Sequence, residues 1–237
     1  MENKLIIGNI KMNMKFGELA NYIEHFKNIN NKNVVVCPSY IYIPYFLNYN
    51  FSVGSQNVCA YEDGGYTGEV SARQLASIGV EYAIVGHSER RIKLNESNTE
   101  INKKVKNCLE SKLKVILCIG ETLEESKLLK KDQVLKRQIR DALFDIKDLS
   151  NVIIAYEPVW SIGTNKIPNN DELINTIKYI KELVKDLYKN DIKVIYGGSI
   201  NERNIDKLKE IKKLDGFLIG SASINPLKFI EIIEKIA

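Results

Sequence analysis

The chain has 237 residues, 44% of them hydrophobic, enough to bury a substantial core in one large domain. Its 34 Lys and Arg against 30 Asp and Glu leave a net charge of +4, which falls short of a nucleic-acid footprint but suits an anionic small molecule. The four cysteines form no CxxC pair and there are only two histidines, so no zinc-ligand spacing can be assembled and the cysteines read as thiols in a reducing cytosol.

Short, continuous apolar runs recur along the chain at residues 5–7, 34–36, 51–53, 82–85, 115–119, 152–156, 194–196 and 217–219. Runs without alternation suit parallel strands buried on both faces. Helical stripes lie between them: Phe16, Leu19, Ala20, Ile23 and Phe26; Leu135, Ile139, Ala142, Leu143 and Ile146; Leu173, Ile177, Ile180, Val184 and Leu187; and finally Ile230, Ile233 and Ile236. Shorter helices are expected at 41–48 and 72–78. Eight strands alternating with helices at this spacing predict an α/β fold, a (β/α)8 barrel formed as one domain over residues 1–237. A doubly wound open sheet competes, but Gly8-Asn-Ile-Lys-Met-Asn13 after the first strand is not the expected GxGxxG turn. No apolar run approaches the roughly 20 residues of a membrane span. The first residues lack the core and cleavage site of a signal peptide, so a cytoplasmic protein is expected. The glycosylation-like triplets at 50–52 and 95–97 then read as chance matches.

In such a barrel the chemistry sits where the strands end. The residues there are Asn9 and Lys11, His87 and Ser88, Glu157, then Gly197, Gly198 and Ser199, and Gly220 and Ser221. The set holds a carboxylate, an imidazole, an ammonium, an amide and two Gly/Ser turns whose N–H groups suit a phosphate. Each has a plainer reading: Glu157 as a salt-bridged strand end, Lys11 as a solvated lysine, His87 as a structural imidazole and the glycines as turns. Ser88 reads as the N-cap of the turn at 89–91, since it cannot be a nucleophile served by its own neighbour His87. His25, on a polar helix face, reads as exposed.

Taken in order, "GNIKMN" at 8–13, "SQN" at 55–57, "GYTGEVS" at 65–71, "GHSERR" at 86–91, "CIGE" at 118–121, "AYEPVWSIGT" at 155–164, "YGGSI" at 196–200 and "GSAS" at 220–223 resemble the triosephosphate isomerase family over nearly the whole chain. The resemblance implies interconversion of dihydroxyacetone phosphate and glyceraldehyde 3-phosphate, a glycolytic and gluconeogenic step that needs no metal or organic cofactor. It implies Glu157 as the base and Lys11 as positive charge for phosphate and enediolate. Asn9 would be an amide at the reacting oxygens, and His87 the neutral electrophilic imidazole already known for this family. Ser88 and Glu89 would support His87. Residues 158–166 resemble the family's mobile lid, also well known, with Pro158 and Trp160 at its hinge, Gly163 offering an N–H to the phosphate, and Tyr196 securing the closed state. Ser199, Gly220 and Ser221 would complete the phosphate cradle. Loop 64–69 would reach into a neighbouring subunit, Thr67 buttressing the partner subunit's Asn9 and His87, which implies a homodimer. No nucleic-acid or membrane partner is expected.

Five residues depart from the family's pattern. Ile10 replaces a usual Trp, Asn165, Ile167 and Pro168 replace Gly, Thr and Ala at the second hinge, and Ser221 replaces a Gly. A proline fixes φ at about −65°, so lid motion is where a difference is expected. Two competing readings are a catalytically silent phosphate-binding barrel, opposed by the joint presence of Asn9, Lys11, His87 and Glu157, and a phosphoribosyl isomerase, which would not require the Glu-Pro-Val-Trp segment.

Overall fold

A computed structural model describes residues 4–164 and 166–236. Eight strands, β1 (Leu5–Asn9), β2 (Asn31–Cys37), β3 (Phe51–Ser55), β4 (Tyr82–Val85), β5 (Lys114–Ile119), β6 (Val152–Tyr156), β7 (Lys193–Tyr196) and β8 (Gly216–Ile219), close into a parallel barrel in sequence order. β1 seals the barrel by pairing with β8, Leu5 opposite Gly216 and Gly8 opposite Ile219. This is the (β/α)8 fold expected, with every anticipated strand present.

The continuous apolar runs have a two-layer explanation. Side chains alternate across a strand. Leu5, Ile7, Val35, Ile84, Ile116, Cys118, Ile153, Ala155, Ile195 and Leu218 fill the barrel interior. Their neighbours Ile6, Val34, Val36, Val85, Leu117, Ile154, Val194 and Phe217 pack outward beneath the helices. Both faces are dry, so both positions are apolar. Burying each Val, Leu or Ile contributes roughly 1.5–3 kcal/mol. All four cysteines are buried free thiols.

Helix starts are set by side-chain caps. Ser71 with Gln74, Ser97 with Glu100 and Thr122 with Glu125 each form a reciprocal capping box, contributing about 1 kcal/mol apiece. The long helix Asn170–Tyr188 begins on the Asn169 side chain, which accepts the Glu172 N–H at 2.8 Å, and stops at Lys189 with a left-handed φ of 58°. Two expectations need correction. The first helix, Phe16–Glu24, buries Leu19, Tyr22 and Ile23, whereas Phe16 and Ala20 lie exposed. The helix starts at Phe16, so its first turn overhangs the core, and the Phe16 ring meets Tyr45 edge-on at 5.9 Å instead. His25 is half-buried as the C-cap of that helix, because the chain turns there to bury Phe26. Among the described residues no helix is long and apolar enough to cross a membrane.

Candidate active site

The strand alternation that fills the barrel also aims the site. Continuing the inward positions past the strand ends gives Asn9 after Ile7, Glu157 after Ala155, Gly197 after Ile195 and Gly220 after Leu218. These four residues line one cavity of about 700 Å³ at the C-terminal mouth of the barrel, together with Lys11, His87, Gly163, Ser199 and Ser221. Sequence-predicted residues from the ends of five strands, β1, β4, β6, β7 and β8, thus meet in one place.

Glu157 is 3% exposed. Its backbone N–H donates to the Ile119 carbonyl at 2.8 Å, continuing the β5–β6 ladder, and its Oε1 lies 3.3 Å from His87 Nε2. Its Oε2 is buried with no hydrogen-bond partner among the described residues, a costly state for a carboxylate oxygen unless the site uses it. Gly197 permits this placement, because a Cβ there would stand 2.7 Å from Glu157 Cγ. The carboxylate also presses on the Cys118 thiol. Burial first, then the charge of Glu157, pushes that thiol well above its ordinary pKa.

His87, not Ser88, caps the helix Ser88–Lys93: its Nδ1 accepts the Glu89 N–H at 3.2 Å. Ser88 is the first helical residue and is buried. An imidazole nitrogen that accepts an amide hydrogen carries no proton, so the ring's proton sits on Nε2, facing Glu157. Arg91 braces this turn, donating to the Gly86 and Cys118 carbonyls at 2.7 and 3.0 Å and to the Asn98 side chain at 2.7 Å.

Lys11 occupies the left-handed region with φ of 56°, an uncommon conformation for a side chain of its length that must be held from outside. Asn9 Oδ1 accepts its N–H at 3.1 Å, while Ser39 Oγ and Gln56 Nε2 donate to its carbonyl at 3.1 and 2.9 Å. Its ammonium donates to Glu89 Oε1 at 2.8 Å. Burial alone would raise the Glu89 carboxyl, but the bond and charge from Lys11, with Lys93 adding to them, hold it below its ordinary value.

Glu157 is followed by a single 3-10 turn, Val159–Ser161, with Pro158 preceding it. The Trp160 indole N–H donates to Glu121 Oε1 at 2.8 Å, and the Tyr156 hydroxyl lies 3.2 Å from Glu121 Oε2. Glu121 closes the "CIGE" segment just after the end of β5. It is fully buried, and burial raises its carboxyl above the usual range against those two donors. Tyr196 pairs with Ser161 Oγ at 3.1 Å, and burial pushes its hydroxyl up to about 12. Gly163 lines the cavity with φ of 69°. Of the residues expected at the second hinge, Ile167 lines the cavity and Pro168 is buried, while Asn165 lies outside the described residues. Ile10 is 1% exposed within the main core. Thr67 does not join the cavity; its whole loop, 61–69, is exposed. No group of three or more His, Cys, Asp or Glu side chains among the described residues could hold a metal ion.

A parallel eight-stranded barrel with paired acid–base side chains at its C-terminal mouth defines the class, a (β/α)8-barrel enzyme with a site for a small polar substrate. The profile of the family described as triosephosphate isomerase matches residues 4–236. Relatives named triosephosphate isomerase include one from Thermodesulfovibrio yellowstonii, 37% identical over 245 residues covering 99% of this chain and 100% of the relative. Another from Alkaliphilus oremlandii is 38% identical over 247 residues, with the same coverage. A third, from Chlorobium phaeobacteroides, is 39% identical over 252 residues, covering 99% of each. The chain belongs to the triosephosphate isomerase family and is an intramolecular aldose–ketose isomerase.

Proposed function

We propose that this isomerase interconverts dihydroxyacetone phosphate and D-glyceraldehyde 3-phosphate with Glu157 as the base. The carboxylate takes a proton from the carbon beside the substrate carbonyl, and the electron pair left behind forms an enediolate. The same group then returns the proton to the neighbouring carbon, while the hydroxyl proton on the first carbon's oxygen passes to the oxygen of the former carbonyl, so atoms and charge balance. The Nε2–H of His87 polarises the carbonyl oxygen, Lys11 balances the negative charge that develops on it, and Asn9 adds an amide donor. The observation that carries this reading is the buried Glu157 carboxylate, Oε1 at 3.3 Å from His87 Nε2 and Oε2 unpartnered.

The phosphate is held by N–H and hydroxyl groups of Ser199, Gly220, Ser221 and Gly163, with Lys11 beside them. Segment 158–166 closes over it as a lid, Pro158 and Trp160 forming the first hinge and Tyr196 the anchor. Closure keeps water from an intermediate prone to lose phosphate and strengthens the electrostatics inside. Ser88 and Glu89 keep His87 in its ring orientation. The reaction serves glycolysis and gluconeogenesis in the cytoplasm. The working unit is a homodimer in which the Thr67 loop enters the partner's site. Support for the dimer comes from that loop's exposure, Tyr66 included, and from the exposed Met12 next to Lys11.

Conversion in deuterium oxide tests the proton path. Product carrying deuterium at the carbon next to its carbonyl is expected, because the base exchanges its proton with solvent while the enediolate persists. Product free of deuterium at every turnover would instead indicate an internal hydride shift.

A further inference from the structure

Ser161 lies in the loop just after Glu157 and is fully enclosed, at 0% exposure. Its hydroxyl has three partners: it donates to the Lys166 carbonyl at 2.7 Å, meets the Tyr196 hydroxyl at 3.1 Å and accepts the Ser199 N–H at 3.2 Å. A serine hydroxyl has one proton and two lone pairs. With the proton on Lys166, both remaining partners must donate, so Tyr196 is a donor and every position on the oxygen is filled. One atom thereby joins the two ends of the loop, the end of β7 and the Gly-Gly-Ser turn. Gly198 allows the approach, since a Cβ there would stand 2.0 Å from the Tyr196 hydroxyl and 2.6 Å from Ser161 Oγ.

We propose that Ser161 is a positioning residue whose hydroxyl competes with the substrate phosphate for the Ser199 N–H. The inference rests on the reading that the Ser199 turn binds phosphate. In this structure the Ser161 hydroxyl holds that hydrogen. An arriving phosphate oxygen carries charge and is the stronger acceptor, so it takes the N–H. The exchange releases the bond that fastens the loop to the turn after β7, which links phosphate arrival to loop movement through a single oxygen atom. Glu157 begins this same loop, so the link extends to the position of the carboxylate. Ser199 is half-buried and lines the cavity, so without Ser161 its N–H would meet only water.

The test titrates inorganic phosphate into wild type and Ser161→Ala by calorimetry, with the emission of Trp160, the single tryptophan of the chain, as a readout of the loop. KM and kcat for glyceraldehyde 3-phosphate accompany it. Loss of the competing bond should tighten phosphate about fivefold, the effect of one ordinary hydrogen bond, and lower KM in parallel without raising kcat. A purely structural serine would instead lower the melting temperature and leave the phosphate Kd unchanged or weaker, and that result in a folded variant overturns the proposal. Ser161→Cys keeps the bulk and substitutes a weak acceptor. It should shift phosphate affinity in the same direction and carries the test if the alanine variant does not fold; weaker binding in it overturns the proposal too. A wild type that does not respond to phosphate overturns the assignment of the turn and this inference with it, whereas a responsive wild type with unshifted variants overturns this inference alone.

Discussion

Gly197→Ala should displace the Glu157 carboxylate while leaving it in the protein. A Cβ at 197 would lie 2.7 Å from Glu157 Cγ, 3.1 Å from Oε1 and 3.3 Å from Cδ. Relaxed carbon–carbon contacts fall at ~3.5–4.0 Å, so the side chain must retreat by ~1 Å. The backbone cannot share that movement cheaply: the Glu157 N–H is bonded to Ile119 at 2.8 Å and the Gly197 N–H to Tyr156 at 2.9 Å. The shift therefore falls on the carboxylate. A misplacement of ~1 Å costs on the order of 100-fold in rate, and overpacking of this kind costs roughly 1–3 kcal/mol of stability. The expected variant is folded with a modestly lower melting temperature, kcat reduced by about two orders of magnitude and KM little changed, because the proposed phosphate donors at Gly163, Gly220 and Ser221 lie elsewhere in the cavity. Steady-state kinetics with thermal unfolding followed by circular dichroism provide both readings. A folded variant with wild-type kcat would refute the claim that the carboxylate's position sets the rate.

Lys11→Ala should raise KM and lower kcat together, the latter by roughly 10²–10³, the usual cost of removing one preorganised electrostatic group; an unchanged rate would remove Lys11 from the chemistry. Glu121→Gln should keep an acceptor for the Trp160 indole while removing a buried charge. The wild-type carboxyl has a folded pKa raised above its ordinary 4.5, so the folded state binds the proton more tightly than the unfolded state. Wild type therefore loses stability as pH rises from the unfolded value through the raised folded one. Glutamine does not titrate, so the melting-temperature difference, variant minus wild type, should become more positive across that window. A pH-independent difference would contradict the burial argument.

The strands were legible because a two-faced burial leaves no position for a polar residue, and for the same reason Asn9 and Glu157 stood out where the inward positions first turn polar. The helices were less so. Leu123–Lys127 and Ile205–Lys209 are too short to display a period, and nothing in the spacing of Phe16 reveals that its turn overhangs the core. The cap at His87 was missed because hydroxyls and short carboxylates are the expected capping groups, whereas here an imidazole nitrogen accepts the amide after Gly86 turns at φ of 70°. The family resemblance supplied the expected lid and the role of Lys11. It did not supply the left-handed backbone of Lys11, Gln56 holding its carbonyl, or the bonds converging on Ser161. Those depend on residues distant in sequence, brought together only when the barrel closes.

The most direct test of the central claim is turnover of glyceraldehyde 3-phosphate by wild type beside Glu157→Gln, with product coupled to a dehydrogenase specific for dihydroxyacetone phosphate. The substitution keeps the side chain's size and removes its ability to accept a proton. Rapid turnover in the wild type, abolished in a folded Glu157→Gln protein, is the predicted result. Turnover that survives the substitution would contradict Glu157 as the base.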